Sequence, residues 1–230
     1  MSMRLCVAWP GTGGHPRAAA AVAGIAVALW LVLALWLALL VRAGAQVHPP
    51  GVDLLGHRLV HGSTDGMWTQ VARGVSIAGS SPVLYPVTGV IAALISLQRG
   101  AARLLDALLV LVALGIGSAA RVGVSVVIGR ARPPVADWLY HANGFAFPSG
   151  HTTNTTIAVG LLVLLYRQTG PLRWRCSIAW ALAVVAAASV GWSRVYLGVH
   201  WPSDVAGGWL FGVGWVALVA LVGDRRPVNR

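Results

Sequence analysis

The chain alternates between long runs without charge and short polar stretches. Ala18 to Val41 carries no charged side chain over 24 residues and is bracketed by Arg17 and Arg42. A bilayer-spanning helix needs about 20 such residues, so a first span is predicted over 18–41. Ala43-Gly44-Ala45, just beyond, has the look of a signal-peptidase site. A secretory apolar core runs only about 7–15 residues, so an uncleaved anchor is expected. Gln46 to Ser81 is mixed in polarity, with Pro49, Pro50, Asp53, Arg58 and Asp65. It reads as a loop holding one or two short interfacial helices. Further apolar runs predict spans over about 76–98, 104–129, 151–166, 176–192 and 205–223. The polar ends, 1–17 and 224–230, complete an all-α, polytopic membrane protein of six transmembrane helices, with a short extracytoplasmic interfacial helix region after the first span.

Composition sharpens this reading. Hydrophobic residues make up 57% of the 230 and charged ones only 10%, against roughly a quarter charged in an ordinary soluble domain. A disordered chain is excluded and a water-soluble enzyme disfavoured. The net charge of +11 raises nucleic acid as a partner, but the arginines are scattered between apolar runs rather than gathered on a stripe, so none is expected. Cys6 and Cys176 lie far apart without metal-ligand spacing, and neither a disulfide framework nor a zinc site is expected.

Arginine placement sets the orientation. With the N-terminus inside, ten of the 17 arginines face the cytoplasm: Arg4, Arg17, Arg99, Arg103, Arg167, Arg173, Arg175, Arg225, Arg226 and Arg230. Both termini are therefore expected in the cytoplasm of a multi-pass cell-membrane protein. The segments Arg130–His151 and Ser193–Asp204 then share the extracytoplasmic face, and they hold most of the reactive side chains.

Three blocks carry that chemistry. In Gly129-Arg130-Ala131-Arg132-Pro133-Pro134 the prolines are expected to stop the helix. By itself the block also suits arginines that merely anchor a helix end. In Phe147-Pro148-Ser149-Gly150-His151-Thr152-Thr153, Ser149 is a natural N-cap for the run that follows. The helix N-terminus behind it offers N–H donors and a positive dipole end to an anion. In the third block Ser193-Arg194 is followed by His200 and Asp204, four apart, with Pro202 fitting the first turn of the last span. A carboxylate on one imidazole nitrogen fixes the tautomer and frees the other nitrogen as nucleophile or base. Together the blocks give two histidines, arginine forks suited to phosphate oxygens, a serine and an aspartate at one face. That inventory reads as a phosphoryl-transfer site without a di-metal carboxylate cluster. Which histidine attacks stays open at this level.

The blocks resemble the tripartite signature of the type 2 phosphatidic acid phosphatase / vanadium haloperoxidase superfamily. Its second and third parts are matched by Pro148-Ser149-Gly150-His151 and by Ser193-Arg194, His200 and Asp204, its first by Arg132-Pro133. The resemblance spans Ser125 to Asp204 and points to the membrane lipid-phosphate phosphatase branch. It implies that His200 attacks phosphorus and forms a phosphohistidine, that Asp204 orients it, and that His151 is the general acid. It further implies that Arg132, Arg194, Ser149 and the Gly150 amide hold the phosphoryl oxygens, with no metal and no cofactor. The substrate would be a lipid phosphate held in the bilayer: phosphatidate-like, phosphatidylglycerol phosphate or undecaprenyl diphosphate, with monoesters ranked ahead. A phosphotransferase on the same scaffold is the related alternative.

One position departs from the signature. Its lysine falls on Ser125, which has no charge. Arg121, one turn earlier, and Arg130, five residues later, are the candidate replacements, and the greater depth of Arg121 in the membrane favours Arg130. From another class of function, intramembrane Asp106 and Arg121 suggest a transporter pathway, but the polar residues cluster at one face instead. Asp53 and His57, with His48 and His61, read as polar residues of an interfacial helix rather than a metal or pH-sensing cluster. Asp137 and His141 lie beside the site without an assigned role. Gly208 and Gly212 suggest close helix packing within the chain.

Overall fold

The computed structural model describes residues 16–42, 49–61 and 66–224. The expectations for 1–15, for the sequence at 43–45, for His48 and for the tail at 225–230 lie outside the described residues. Eight helices carry the described chain: α1 (Pro16–Arg42), α2 (Gly51–Val60), α3 (Met67–Ala78), α4 (Ser81–Leu97), α5 (Leu104–Ile128), α6 (Gly150–Arg167), α7 (Arg173–Tyr196) and α8 (Pro202–Asp224).

Helices α1, α5, α7 and α8 fall on the expected apolar runs, with α7 and α8 reaching a few residues further at the reactive end. Helix α5 stops earlier than its prolines require. Gly129 adopts φ 62° and its N–H donates to the Ser125 carbonyl, a left-handed closure that glycine permits without steric cost. The expected span at 76–98 is instead two helices, α3 and α4, meeting at a 60° bend. Gly79 and Ser80 form the break, the Ser80 hydroxyl donating to the Ile77 carbonyl, and Pro82 occupies the first turn of α4. The segment before the bend holds two short helices, α2 and α3, where one or two were expected.

Helix α6 is the centre of the bundle, packed against α4, α5, α7 and α8. Its first half, Thr152 to Thr156, consists of hydroxyl and amide residues that are all buried. A helix enclosed by others need not present an apolar face to lipid, and its backbone bonds are satisfied within the helix. This explains why α6 is not among the helices that length and apolarity mark as spans, which among the described residues are 101–128, 173–196 and 202–223, or four with the bent pair, against the six expected. The outer faces carry large exposed apolar side chains, among them Leu31, Leu94, Leu105, Ile116 and Leu182. So continuous an apolar surface belongs in a bilayer, and the chain is a multi-pass membrane protein.

Glycines let α6 and α8 approach. A Cβ at Gly212 would lie 2.6 Å from the Thr156 Cβ, and one at Gly208 3.0 Å from the Thr152 Cβ. The small-residue pair is therefore packing within the chain, as its spacing suggested. Cys176 is disulfide-bonded, where no disulfide framework was expected.

Candidate active site

The two reactive segments, distant in sequence, are stitched together by hydrogen bonds. The Ser149 N–H donates to the Asp204 carbonyl at 3.0 Å and the Leu139 N–H to the Leu197 carbonyl at 3.0 Å. Arg132 Nη1 donates to the Val199 carbonyl at 2.7 Å, and Trp201 Nε1 to the Ala131 carbonyl at 3.3 Å. Gly198 makes the approach possible: at φ 71°, a Cβ there would sit 2.1 Å from the Asp137 carbonyl oxygen.

His200 lies in the turn between α7 and α8, only 1% exposed. Arg132 Nη1 lies 2.9 Å from its Nε2. A guanidinium can only donate, so Nε2 accepts and the ring proton sits on Nδ1. That nitrogen faces Asp204 Oδ2 at 3.5 Å. Residues 200 and 204 lie close together in a tight turn ahead of α8 rather than on a helix face, but Nδ1 makes no hydrogen bond to the carboxylate at this separation. Asp204 stands in the first turn of α8 and accepts the Trp201 N–H at 2.8 Å, the reciprocal half of a capping box.

Burial, followed by the charges of Arg132 and Arg194, holds the His200 imidazole well below its ordinary range, opposed by a backbone hydrogen bond at Ala146. The ring is therefore neutral at pH 7, its Nε2 lone pair engaged by the Arg132 guanidinium. A stability consequence follows with a definite sign. In the unfolded chain the ring takes a proton below about pH 6.5, whereas in the folded protein it resists, so stability falls as pH drops through that value. Wild type should lose up to about 1.4 kcal/mol per pH unit more than His200→Gln below pH 6.5. Parallel melting curves from pH 7.5 to 5 in detergent check this, and equal slopes would contradict it.

Arg132 is held in place by carbonyls, donating to Gly144 at 2.9 Å, Asn143 at 2.8 Å and Phe145 at 3.2 Å. Burial lowers its pKa to about 10, partly offset by Asp204, so it stays cationic at neutral pH. Arg194, at the end of α7, donates to the Ser76 hydroxyl on α3 and lies 6.0 Å over the Tyr140 ring, while its Nε has no partner. His151 opens α6 close enough to Arg194, His200, Arg132 and Arg121 to feel each charge. Ser149 occupies the N-cap position but makes no side-chain cap; its hydroxyl accepts from Thr152 at 3.1 Å. The first-turn N–H groups of α6 thus lack a side-chain cap at the dipole's positive end.

The two arginines proposed to replace the lysine at Ser125 separate sharply, and the preference for Arg130 is not supported by its geometry. Arg130 is buried with Nη2 2.6 Å from Asp53 and Nη1 2.5 Å from Asp204, and it also donates to the Ser203 hydroxyl at 2.6 Å. Its fork is committed to carboxylates. Arg121 instead lies against the first turn of α6, its guanidinium carbon 3.3 Å from where a Gly150 Cβ would stand. Ser125 is buried and supplies only its carbonyl, to Gly129.

The blocks do not contain all the residues that build this site. Asp53 is fully buried and accepts from the Ser203 N–H at 2.9 Å and the Ser203 hydroxyl at 2.6 Å as well as from Arg130. Arg73, on α3, holds the Leu139 carbonyl at 3.0 Å. Asp137 accepts from His57 Nε2 at 3.2 Å, and its carbonyl from His61 Nε2 at 2.7 Å, tying α2 to the loop beside the site. A usable signal existed for Asp53: a buried arginine requires a counter-ion, and the chain offers only six acids.

Among the described residues no group of three or more His, Cys, Asp or Glu side chains is placed to hold a metal ion. Asp106 pairs with Arg99 at 2.6 Å at the start of α5, and Arg121 lies by the site, so these two do not line a common pathway.

This arrangement has known counterparts. Phosphatidylglycerophosphatase B of Bacillus subtilis (strain 168) is 33% identical over 162 residues, which cover 70% of this chain and 77% of that relative. An undecaprenyl-diphosphatase of Sulfolobus acidocaldarius is 36% identical over 87 residues, 37% of either chain. The fold is similar to the crystal structure of a transmembrane PAP2 type phosphatidylglycerolphosphate phosphatase from Bacillus subtilis. The TM-score is 0.74 at 27% identity, over 89% of this chain and 98% of that one. With the family's model matched across residues 106–227, the chain belongs to the PAP2 superfamily.

Proposed function

We propose that the chain is an integral membrane lipid phosphate phosphatase that works through a phosphohistidine on His200, without a metal ion. The observation that carries this reading is the placement of His200: buried, with Nε2 2.9 Å from Arg132 Nη1 and Nδ1 3.5 Å from Asp204 Oδ2. An incoming phosphate dianion takes over the Arg132 fork now donated to Nε2. The Nε2 lone pair attacks phosphorus, the bond to the lipid oxygen breaks, and His151 gives that oxygen its proton. Asp204 stabilises the positive charge that develops on the ring. Water then attacks the phosphohistidine, surrenders a proton to His151, and inorganic phosphate leaves. Arg132, Arg194, Ser149 and the Gly150 amide hold the phosphoryl oxygens.

The lipid part of the reading rests on the surroundings. A wholly apolar cavity of about 310 Å³ between α6, α7 and α8 is lined by Thr156, Gly160, Ala187, Trp209 and Val213. Its upper residues lie one to two turns below the site, where a substrate's hydrocarbon chain would run. Phosphate monoesters are ranked ahead of diphosphates, in keeping with the larger share of the phosphatidylglycerophosphatase relative that is matched. We place α1 and α6 among six spans, both termini in the cytoplasm, and the site at the extracytoplasmic interface beside α2 and α3. Phosphate release from phosphatidate, phosphatidylglycerol phosphate and undecaprenyl diphosphate in detergent with EDTA tests the reading. Monoester turnover that survives EDTA is expected; loss of all activity with EDTA contradicts it.

Arg121 supplies the positive charge missing at Ser125. Arg121→Gln should lower kcat/KM on phosphatidate by about 10- to 100-fold, the loss of one or two charge-assisted hydrogen bonds. Adding Ser125→Lys to that variant should recover part of it. Steady-state kinetics of both variants decide the matter, and an unchanged Arg121→Gln would return the role to another cation.

A further inference from the structure

Asp53 belongs to none of the three blocks, stands 77 residues before Arg130 and 150 before Ser203, and yet is fully buried against both. We infer that Asp53 is a positioning residue for the reaction, acting through Arg130 and Ser203 on Asp204 and so on His200. This rests on the phosphohistidine reading above.

The charge count explains why a second carboxylate is needed. Arg130 binds Asp204 through Nη1 and Asp53 through Nη2. Were Arg130 paired with Asp204 alone, its charge would be cancelled by that single carboxylate, leaving little negative potential beside His200. With Asp53 on the other arm the three groups carry a net charge of −1. Asp204 then keeps enough negative character to stabilise an imidazolium while the N–P bond forms. Geometry acts in the same direction. The Ser203 hydroxyl accepts a hydrogen bond from Arg130 Nη1 and donates to Asp53, and the Ser203 N–H donates to Asp53 as well. That lattice fixes the first turn of α8, which bears Asp204. Asp53 touches neither His200 nor the phosphoryl position; its influence passes through residues that do.

Asp53→Asn keeps the shape and the bond from the Ser203 N–H but removes the charge. In detergent micelles with phosphatidate as the probe, kcat should fall about 10- to 100-fold with KM within about twofold. Asp53→Glu, which retains the charge, should recover part of the kcat. Ser203→Ala leaves both ion pairs intact, and a kcat loss of several-fold at constant KM is expected even should Asp53→Asn fold poorly. A purely structural role would lower the amount of folded enzyme and leave kcat per folded molecule unchanged; that outcome, in Asp53→Asn or Ser203→Ala, overturns the inference. Wild type and His200→Ala are measured alongside. An inactive wild type, or an active His200→Ala, defeats the phosphatase reading itself. A dead His200→Ala beside an undiminished Asp53→Asn defeats only the role of Asp53.

Discussion

His200→Ala should reduce lipid phosphate hydrolysis by about 10⁴-fold or more while the protein remains folded. Removing the nucleophile of a covalent mechanism costs on the order of 10⁶ in a well-studied case, the residue of catalysis coming from the surviving charge-stabilising groups. The same should hold here, because Arg132, Arg194 and the α6 N-terminus do not depend on the ring for their placement. Arg132 is anchored by the carbonyls of Asn143, Gly144 and Phe145, and Arg194 by Ser76. His151→Ala should differ in kind. With a lipid leaving group it should also be severely impaired, since the alkoxide departs unprotonated. With an aryl phosphate, whose leaving group needs no proton, the first step should persist and phosphoenzyme should accumulate. Phosphate release together with acid-labile phosphate on the protein, followed for both variants, separates nucleophile from acid. Equal behaviour of the two on the aryl substrate would contradict the assignment.

The second large effect is on the fold. Arg130→Gln should destabilise the protein by about 3–5 kcal/mol, because two fully buried carboxylates lose their shared cation. A phosphate-binding arginine would behave otherwise: its loss would raise KM and leave stability nearly intact. Combining Arg130→Gln with Asp53→Asn removes one of the stranded charges and should restore much of the folded yield without restoring activity. Thermal unfolding in detergent with the yield of monodisperse protein measures this. A stable, weakly binding Arg130→Gln would return Arg130 to the phosphate.

The proposal of Arg121 rather than Arg130 for the charge missing at Ser125 shows what the sequence contains and what it leaves out. Depth in the membrane favoured Arg130, yet helix periodicity pointed the other way. Arg121 is four residues before Ser125 and shares its helix face, whereas Arg130 lies beyond the helix end at Gly129. The three blocks and their common side were legible because the side chains a phosphoryl group requires are few and closely spaced. Asp53 left only the weaker signal of a counter-ion for a buried arginine, since no local pattern ties residue 53 to residues 130 and 203. Helix α6 was legible as a helix over 151–166, but not its central place in the bundle, where its Thr-rich first half is enclosed by neighbouring helices. The α3–α4 bend at Gly79 and Ser80 was hidden by an uncharged run that continues through it. Apolar patterning reports burial, and it is silent on whether the helix beneath is straight.

The central claim is a bond from phosphorus to one nitrogen, and it can be observed directly. His151→Ala enzyme in detergent, mixed with a ³²P-labelled aryl phosphate and quenched in alkali, should carry label that survives base and is lost in acid. Proteolysis should place that label on the peptide containing His200, and His200→Ala in the same background should carry none. Label on any other residue, or no covalent label while turnover proceeds, would contradict the account.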